Sequence, residues 1–363
     1  MKSFSALLAL LTLAIAGPVA QYGREQVPME IPTSLPGFSL DLDLSEMRLV
    51  ELEGQAPVWM SELDKIQLKA KDIKFLDITD AQDLGRTERL RTLVSYPSPR
   101  ATEKVKPILK TLSTKGPREN LEKFTSFPTR YYRSDITAET ASKALRKLIS
   151  VNEFPHSWGQ NSIIVRINGS STTDDGIVVI SAHQDSTNMF PWLNAPGADD
   201  DGSGTVTILE AYRALIAADF KPERAVEFHW YSAEEGGLLG SQAVAQAYEQ
   251  RSANIIGMSQ FDMTAWVKRG TREEVGIITD NVDTALTNFN KELVDTYLDI
   301  PYVETKCGYA CSDQLKSSFG NSNKHIHSAN DRIDISDEFS FSHMLEFSKL
   351  AVAFAVELGG WTE

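Results

Sequence analysis

From about residue 89 onward, runs rich in β-branched and aromatic residues alternate with runs whose apolar side chains recur every three or four positions. A chain patterned this way has few options. It folds as an α/β domain with a mostly parallel, mixed central sheet flanked by helices. The strand-like runs are "SIIVRI", "GIVVISAH", "AVEFHWYSA", "ANIIGMSQFDM" and "EVGIITD". Between and around them lie helix-like runs: "KVKPILKTL", "PRENLEKFTSF", "ETASKALRKLIS", "TVTILEAYRALIAADF", "LLGSQAVAQAYEQR", "TALTNFNKELVDTYLD" and, last, "FSFSHMLEFSKLAVAFAVELG".

The first 88 residues are of a different kind. "MKSFSALLALLTLAIAGPVA" has Lys2, a short apolar run and small residues after it, the pattern of a secretory signal peptide ending near residue 18. That run is short for a membrane span, so no membrane partner is expected. Residues 19–88 carry only short amphipathic runs and are predominantly acidic. They read either as a removable prosegment or as an ordinary N-terminal subdomain. A net charge of −14 argues against nucleic acid as a partner, because phosphate binding needs a basic surface. The two cysteines, Cys307 and Cys311 in "CGYAC", are expected to pair in an exported chain, and Asn168-Gly-Ser170 is a possible N-glycosylation site.

Ligands of such sheets bind beyond the carboxyl ends of the strands. There the chain places His183 and Asp185, then Glu234 and Glu235, then Asp262. "APGADDDGSG" puts Asp199, Asp200 and Asp201 side by side after the first of these strands, and "HIHSANDRID" supplies His325 and His327. Each piece alone is unremarkable: a Glu-Glu pair is commonly a solvated turn, and an Asp-Gly cluster is commonly a surface loop. Together, at successive strand ends, they describe a site for cations.

The ordered set "HQDS…APGADDDGSG…SAEEGGLLGS…FDMT…CGYACSD…HSANDRID" resembles the secreted two-zinc leucine aminopeptidases of fungi and their bacterial leucyl aminopeptidase relatives, from about residue 90 to the C-terminus. The resemblance implies a zinc-exopeptidase-like catalytic domain over 89–363, preceded by a signal peptide (1–18) and a prosegment (19–88). It implies two zinc ions: His183 and Glu235 would bind one each, Asp262 and His327 would complete the two sites, and Asp200 would bridge them. Its neighbours would turn the backbone, with a cis peptide after Asp200. Two divalent ions would balance the three carboxylates and one hydroxide, which a partly buried pocket tolerates better than net charge. Asp185 would accept the other ring N–H of His183. Glu234 would serve as general base and Tyr309 as donor to the oxyanion. His156, His229, His325 and His343 are expected to be structural; of the neighbouring pair His325 and His327, the family pattern selects His327.

The implied activity is that of an exported, monomeric metallo-aminopeptidase acting on peptides with a free N-terminus and favouring large apolar first residues. The alternatives are another zinc hydrolase of carboxypeptidase or aminoacylase type, or an inactive secreted module. The chain departs from the family pattern between Cys311 and His327, where Gln314 stands in place of a histidine and the segment is short. A second contraction falls near "LISVNEFPHSWGQ".

Overall fold

The computed structural model describes residues 42–85, 95–134, 152–172, 175–309 and 319–362, with the short strands 34–35, 38–39 and 315–316. The signal-peptide reading, the helix reading of "ETASKALRKLIS" and Cys311 lie outside the described residues.

Three neighbouring parallel strands form one half of the five-stranded sheet. Ile177–His183 lies between Ile255–Gln260 and Ala225–Tyr231, and both neighbours run parallel to it. Ser162–Ile167 then adds antiparallel to Ala225–Tyr231, and Asn152–Phe154 antiparallel to that. The sheet is therefore mixed, with its parallel half carrying the strand ends that matter below. Ile177–His183 and Ala225–Tyr231 are buried along their whole length, which is why they read as near-continuous apolar runs.

The two-residue side-chain period divides these strands between two covering layers. Val178, Ile180, Ala182, Val226, Phe228 and Trp230 pack in the main core with the helices Gly204–Ala217 and Phe341–Gly359. Ile177, Val179 and Tyr231 pack with Val244 and Tyr248 of the helix Leu239–Gln250. Phe341–Gly359 is apolar on nearly all sides because it is enclosed: Leu350 through Ala355 are fully buried. Trp230 donates from Nε1 to the carbonyl of Thr205 (3.0 Å), tying a central strand to the first turn of the helix that follows the aspartate triplet. Tyr302–Thr305, Val275–Ile278 and Leu315–Lys316 make a second, three-stranded sheet.

The described residues fall in one unit, Thr33–Glu363, which includes the N-terminal segment. There Val58–Ser61, Met47–Glu51 and Leu76–Asp77 make a three-stranded antiparallel sheet carrying the helix Glu62–Ala70. Ser61 and Asp64 cap that helix reciprocally. Its buried charges are mutually paired: Asp77 accepts from Arg48 (2.8 Å) and Lys65 (3.0 Å), and Lys65 also meets Glu62 at 2.7 Å. The segment rests on the turn after Glu235. The Asp77 N–H donates to the carbonyl of Gly237 (3.2 Å), where a Cβ would come within 2.7 Å of that nitrogen and where φ is +100°. Among the described residues no helix is long and apolar enough to cross a membrane.

Candidate metal centre

The strand Ile177–His183 ends at His183, and the chain then turns through Asp185. Ala225–Tyr231 ends two residues short of the turn that carries Glu234 and Glu235, and Ile255–Gln260 ends two residues before Asp262. Because all three strands are parallel, these groups emerge at one edge of the sheet. The aspartate triplet sits in a kinked turn over Ala198–Ser203, leading directly into the helix Gly204–Ala217, and the Asp200–Asp201 peptide is cis. His327 arrives from an irregular loop, at a left-handed φ of 53°.

Two groups of ligand-type atoms result, each with its members within 4.8 Å of one another: His183, Asp200 and Asp262, and Asp200, Glu235 and His327. Asp200 belongs to both. Its Oδ1 lies 3.1 Å from His183 Nε2, and its Oδ2 lies 3.1 Å from His327 Nε2. His327 Nε2 is 3.2 Å from Glu235 Oε2, and His183 Nε2 is 4.0 Å from Asp262 Oδ1. Tetrahedral ligands about 2.0–2.1 Å from a zinc ion stand roughly 3.3 Å from one another, so both groups suit such an ion. Oε1 of Glu235 is buried without a hydrogen-bond partner among the described residues, an unsatisfied acceptor that a cation would meet.

The electrostatics agree. Burial alone would neutralise these groups, yet neighbouring carboxylates push His183 well above the usual imidazole range. They likewise raise His327 to about 10 against the cost of burial, chiefly through Glu235. The two histidines and Lys69 in turn hold Asp200 and Glu235 low. Glu234 behaves differently. Burial pushes it up to about 8, reinforced by Glu235 and Asp262 and opposed by His183. It belongs to neither ligand group and stands 4.0 Å from His183 Nε2.

Asp185 is fully buried and ties the edge together. Its Oδ1 lies 3.3 Å from His183 Nδ1 and accepts the N–H of Glu234 (3.1 Å), while its Oδ2 accepts the N–H of Glu235 (3.1 Å). The outer aspartates of the triplet do more than turn the backbone. Asp201 accepts the N–H groups of His183 (3.1 Å), Gly204 (2.8 Å) and Met263 (3.1 Å), joining two strand ends to the helix start. Asp199 accepts from Ala265 N–H (3.0 Å) and the Ser203 hydroxyl (3.1 Å). Both are buried anchors, a role beyond the backbone turning that the sequence reading gave them.

Tyr309 is not brought to the cluster. Its hydroxyl donates to Glu51 of the N-terminal segment at 2.7 Å, and burial with that carboxylate raises its pKa. Lys69 of the same segment, which the sequence reading did not single out, ion-pairs with Glu235 and donates to its carbonyl at 3.0 Å. The 322–331 segment that carries His325 and His327 is a succession of turns. His325 lies against Trp266. His156 stacks on Trp158, His229 bonds Glu227 and Tyr231, and His343 bonds Glu273, all away from the cluster.

A cavity of about 400 Å³ opens onto the cluster, with Asp200, Glu234, Glu235, Asp262 and His327 in its wall. Met189, Leu238, Met263 and Ile326 supply apolar surface, and Lys69, Ile73 and Phe75 of the N-terminal segment close one side.

Residues 162–348 match Peptidase family M28. The chain is 42% identical to "Leucine aminopeptidase 1" of Pyrenophora tritici-repentis over 395 aligned positions, covering 99% of this chain and 98% of that one. It is 45% identical to the protein of the same name from Colletotrichum graminicola over 352 positions, 86% of each chain. That 395 positions are needed to align a chain of 363 residues means that the relative carries residues this chain lacks. Among solved structures, the LapA aminopeptidase of Legionella pneumophila superposes with a TM-score of 0.75 at 27% identity, covering 88% of this chain and 95% of that one. With this ligand chemistry at its sheet edge, the chain belongs to peptidase family M28 and is a zinc aminopeptidase.

Proposed function

We propose that the protein is an exported, monomeric aminopeptidase that removes large apolar residues from the N-termini of peptides, using two zinc ions. Supporting this reading is the sharing of Asp200 between two three-residue ligand groups, with Glu234 beside both at the wall of an apolar cavity. His183 and Asp262 would hold one ion, Glu235 and His327 the other, and Asp200 both. Zinc, when bound, supplies the Lewis acidity that acidifies water and polarises the scissile carbonyl.

Glu234 takes the proton of the attacking water and passes it to the leaving amine. Asp185 holds the His183 ring by Nδ1 and, through the two adjacent N–H groups, fixes the backbone from which Glu234 and Glu235 project. Met189, Leu238, Met263 and Ile326 receive the first side chain. Tyr309 donates to the developing oxyanion once its hydroxyl is released from Glu51.

Residues 1–18 act as a signal peptide and 19–88 as a prosegment, with the catalytic domain spanning 89–363. Lys69 on Glu235 and the 73–75 stretch along the cavity are what a covering prosegment would contribute. Cys307 pairs with Cys311, and Asn168, exposed beyond the end of Ser162–Ile167, carries glycan.

The experiment uses secreted, processed protein. Metal content and hydrolysis of leucine-p-nitroanilide are measured with and without chelator, beside Glu234→Gln. Two zinc ions, activity abolished by chelator, and a Glu234→Gln variant that keeps its metal but loses about 10²–10⁴-fold in kcat support the reading. Full activity in the variant refutes the role of Glu234.

A further inference from the structure

We propose that Asp331 is a positioning residue that sets the bridging carboxylate of Asp200 against His327, and thereby governs occupancy of the Asp200–Glu235–His327 site. The inference rests on the two-ion reading above and concerns a residue that belongs to neither ligand group and meets the shared Asp200 only at its backbone N–H.

Asp331 lies four residues after His327 and is almost fully buried. Its carbonyl accepts the N–H of Ala198 at 3.0 Å. Its carboxylate accepts the next two N–H groups of the triplet. Oδ1 takes Asp199 at 3.0 Å, and Oδ2 takes Asp199 at 3.2 Å and Asp200 at 3.0 Å. Three successive backbone donors thus end on one residue. The Asn323 side chain donates to Oδ1 at 3.0 Å and steadies the carboxylate from the opposite side. Arg130, itself fully buried, supplies opposing charge while its guanidinium holds the carbonyls of Gln184 and Gly197, each at 2.9 Å.

The consequence is geometric. One ligand of the site, His327, and another, Asp200, come from segments far apart in the chain, and Asp331 joins the two backbones directly. The His327 segment is held from its other side by the Met189 N–H, which donates to the His327 carbonyl at 3.0 Å. A metal site tolerates ligand displacements of only about 0.2 Å. The two oxygens between them accept every one of these donors, Oδ1 from Asp199 and Asn323 and Oδ2 from Asp199 and Asp200. An asparagine in its place turns an NH2 group toward one of them, which pushes the Asp200 backbone away from His327. His183 and the segment after Asp262 are tied together by Asp201, which accepts the N–H groups of His183 and Met263, so the effect falls unequally on the two ions.

The test compares wild type, Asp331→Asn and Asn323→Ala. The readouts are cobalt(II) binding by titration of the chelated protein, the cobalt d–d absorption spectrum at saturation, and the circular dichroism spectrum. Wild type is expected to bind two cobalt ions. Asp331→Asn is expected to keep the wild-type fold and one wild-type affinity, and to lose about 10- to 100-fold at the second site, with a shifted spectrum at saturation. Asn323→Ala should move the spectrum the same way by less. A folded Asp331→Asn with both wild-type affinities and an unchanged spectrum overturns the proposal. Should Asp331→Asn fail to fold, an unchanged spectrum in Asn323→Ala overturns it. Wild type that binds fewer than two ions overturns the two-ion reading and this inference together.

Discussion

Gly204 offers a sharp test of the packing argument, because two physical effects predict opposite signs for Gly204→Ala. The residue has ordinary helical angles, φ −62° and ψ −42°, at the start of Gly204–Ala217. Helix propensity alone therefore predicts that alanine stabilises the protein by about 1 kcal/mol. The surroundings predict the reverse. A Cβ at this position would lie 2.1 Å from the Phe261 carbonyl oxygen and 2.4 and 2.6 Å from the two carboxylate oxygens of Asp201.

Backbone and an anchored carboxylate cannot yield as the tip of a flexible side chain can. The helix start must move by roughly 1 Å to restore ordinary contact, and overpacking of that kind costs about 1–3 kcal/mol. The same movement breaks the bond from Gly204 N–H to Asp201 (2.8 Å), and a buried bond to a charged group is worth about 1.5–3 kcal/mol. The net expectation is a loss of roughly 3 kcal/mol, or about 4 °C in Tm for a chain of this size. Phe261 precedes Asp262, so zinc affinity should fall as well. The assay is thermal melting of zinc-saturated protein followed by circular dichroism, with Gly320→Ala as control, since nothing lies within 4 Å of a Cβ there. A Gly204→Ala protein that melts at or above the wild-type temperature would show that propensity wins and that the close approach is not rigid.

Asp185→Asn should weaken zinc binding about 10- to 100-fold by loosening the His183 ring and the Glu234–Glu235 backbone, as read by competition with a chelating dye; unchanged affinity would refute the role. Zinc uptake at neutral pH should release protons, because His183 and His327 hold them in the metal-free protein, and affinity should rise with pH. Calorimetry in buffers of differing ionisation enthalpy checks this, and an enthalpy independent of buffer would count against it. On the far face of the sheet, Glu227 is held down to about 2 by His229, Tyr248 and Arg166 despite its burial. A depressed carboxylate stabilises the fold above its unfolded pKa and loses that contribution as pH falls through the folded one. Glu227→Gln should thus cost roughly 3 kcal/mol at neutral pH, with the gap to wild type closing between about pH 4.5 and 2; a gap that widens on acidification would refute the assignment.

Much of this protein is written locally in its sequence. The strands and helices were legible because burial on both faces leaves Ile177–His183 a short, nearly continuous apolar run while helix geometry spaces the apolar residues of Gly204–Ala217 by three to four, and such patterns survive in a linear string. The cation chemistry was legible for a related reason: parallel strands deliver their carboxyl ends to one edge, so His183, Glu235 and Asp262 could be gathered by position alone. The resemblance already implied that Asp200 is shared; only the tertiary structure decided that His183 falls with Asp262 and Glu235 with His327, and what holds them there. Asp331 bonds Asp199 across 132 residues, Lys69 meets Glu235 across 166, and Tyr309 meets Glu51 across 258. A hydrogen bond between residues so far apart leaves no periodicity in either segment. A buried aspartate that accepts backbone amides and one that turns a solvated loop are the same letter until the chain has folded around it.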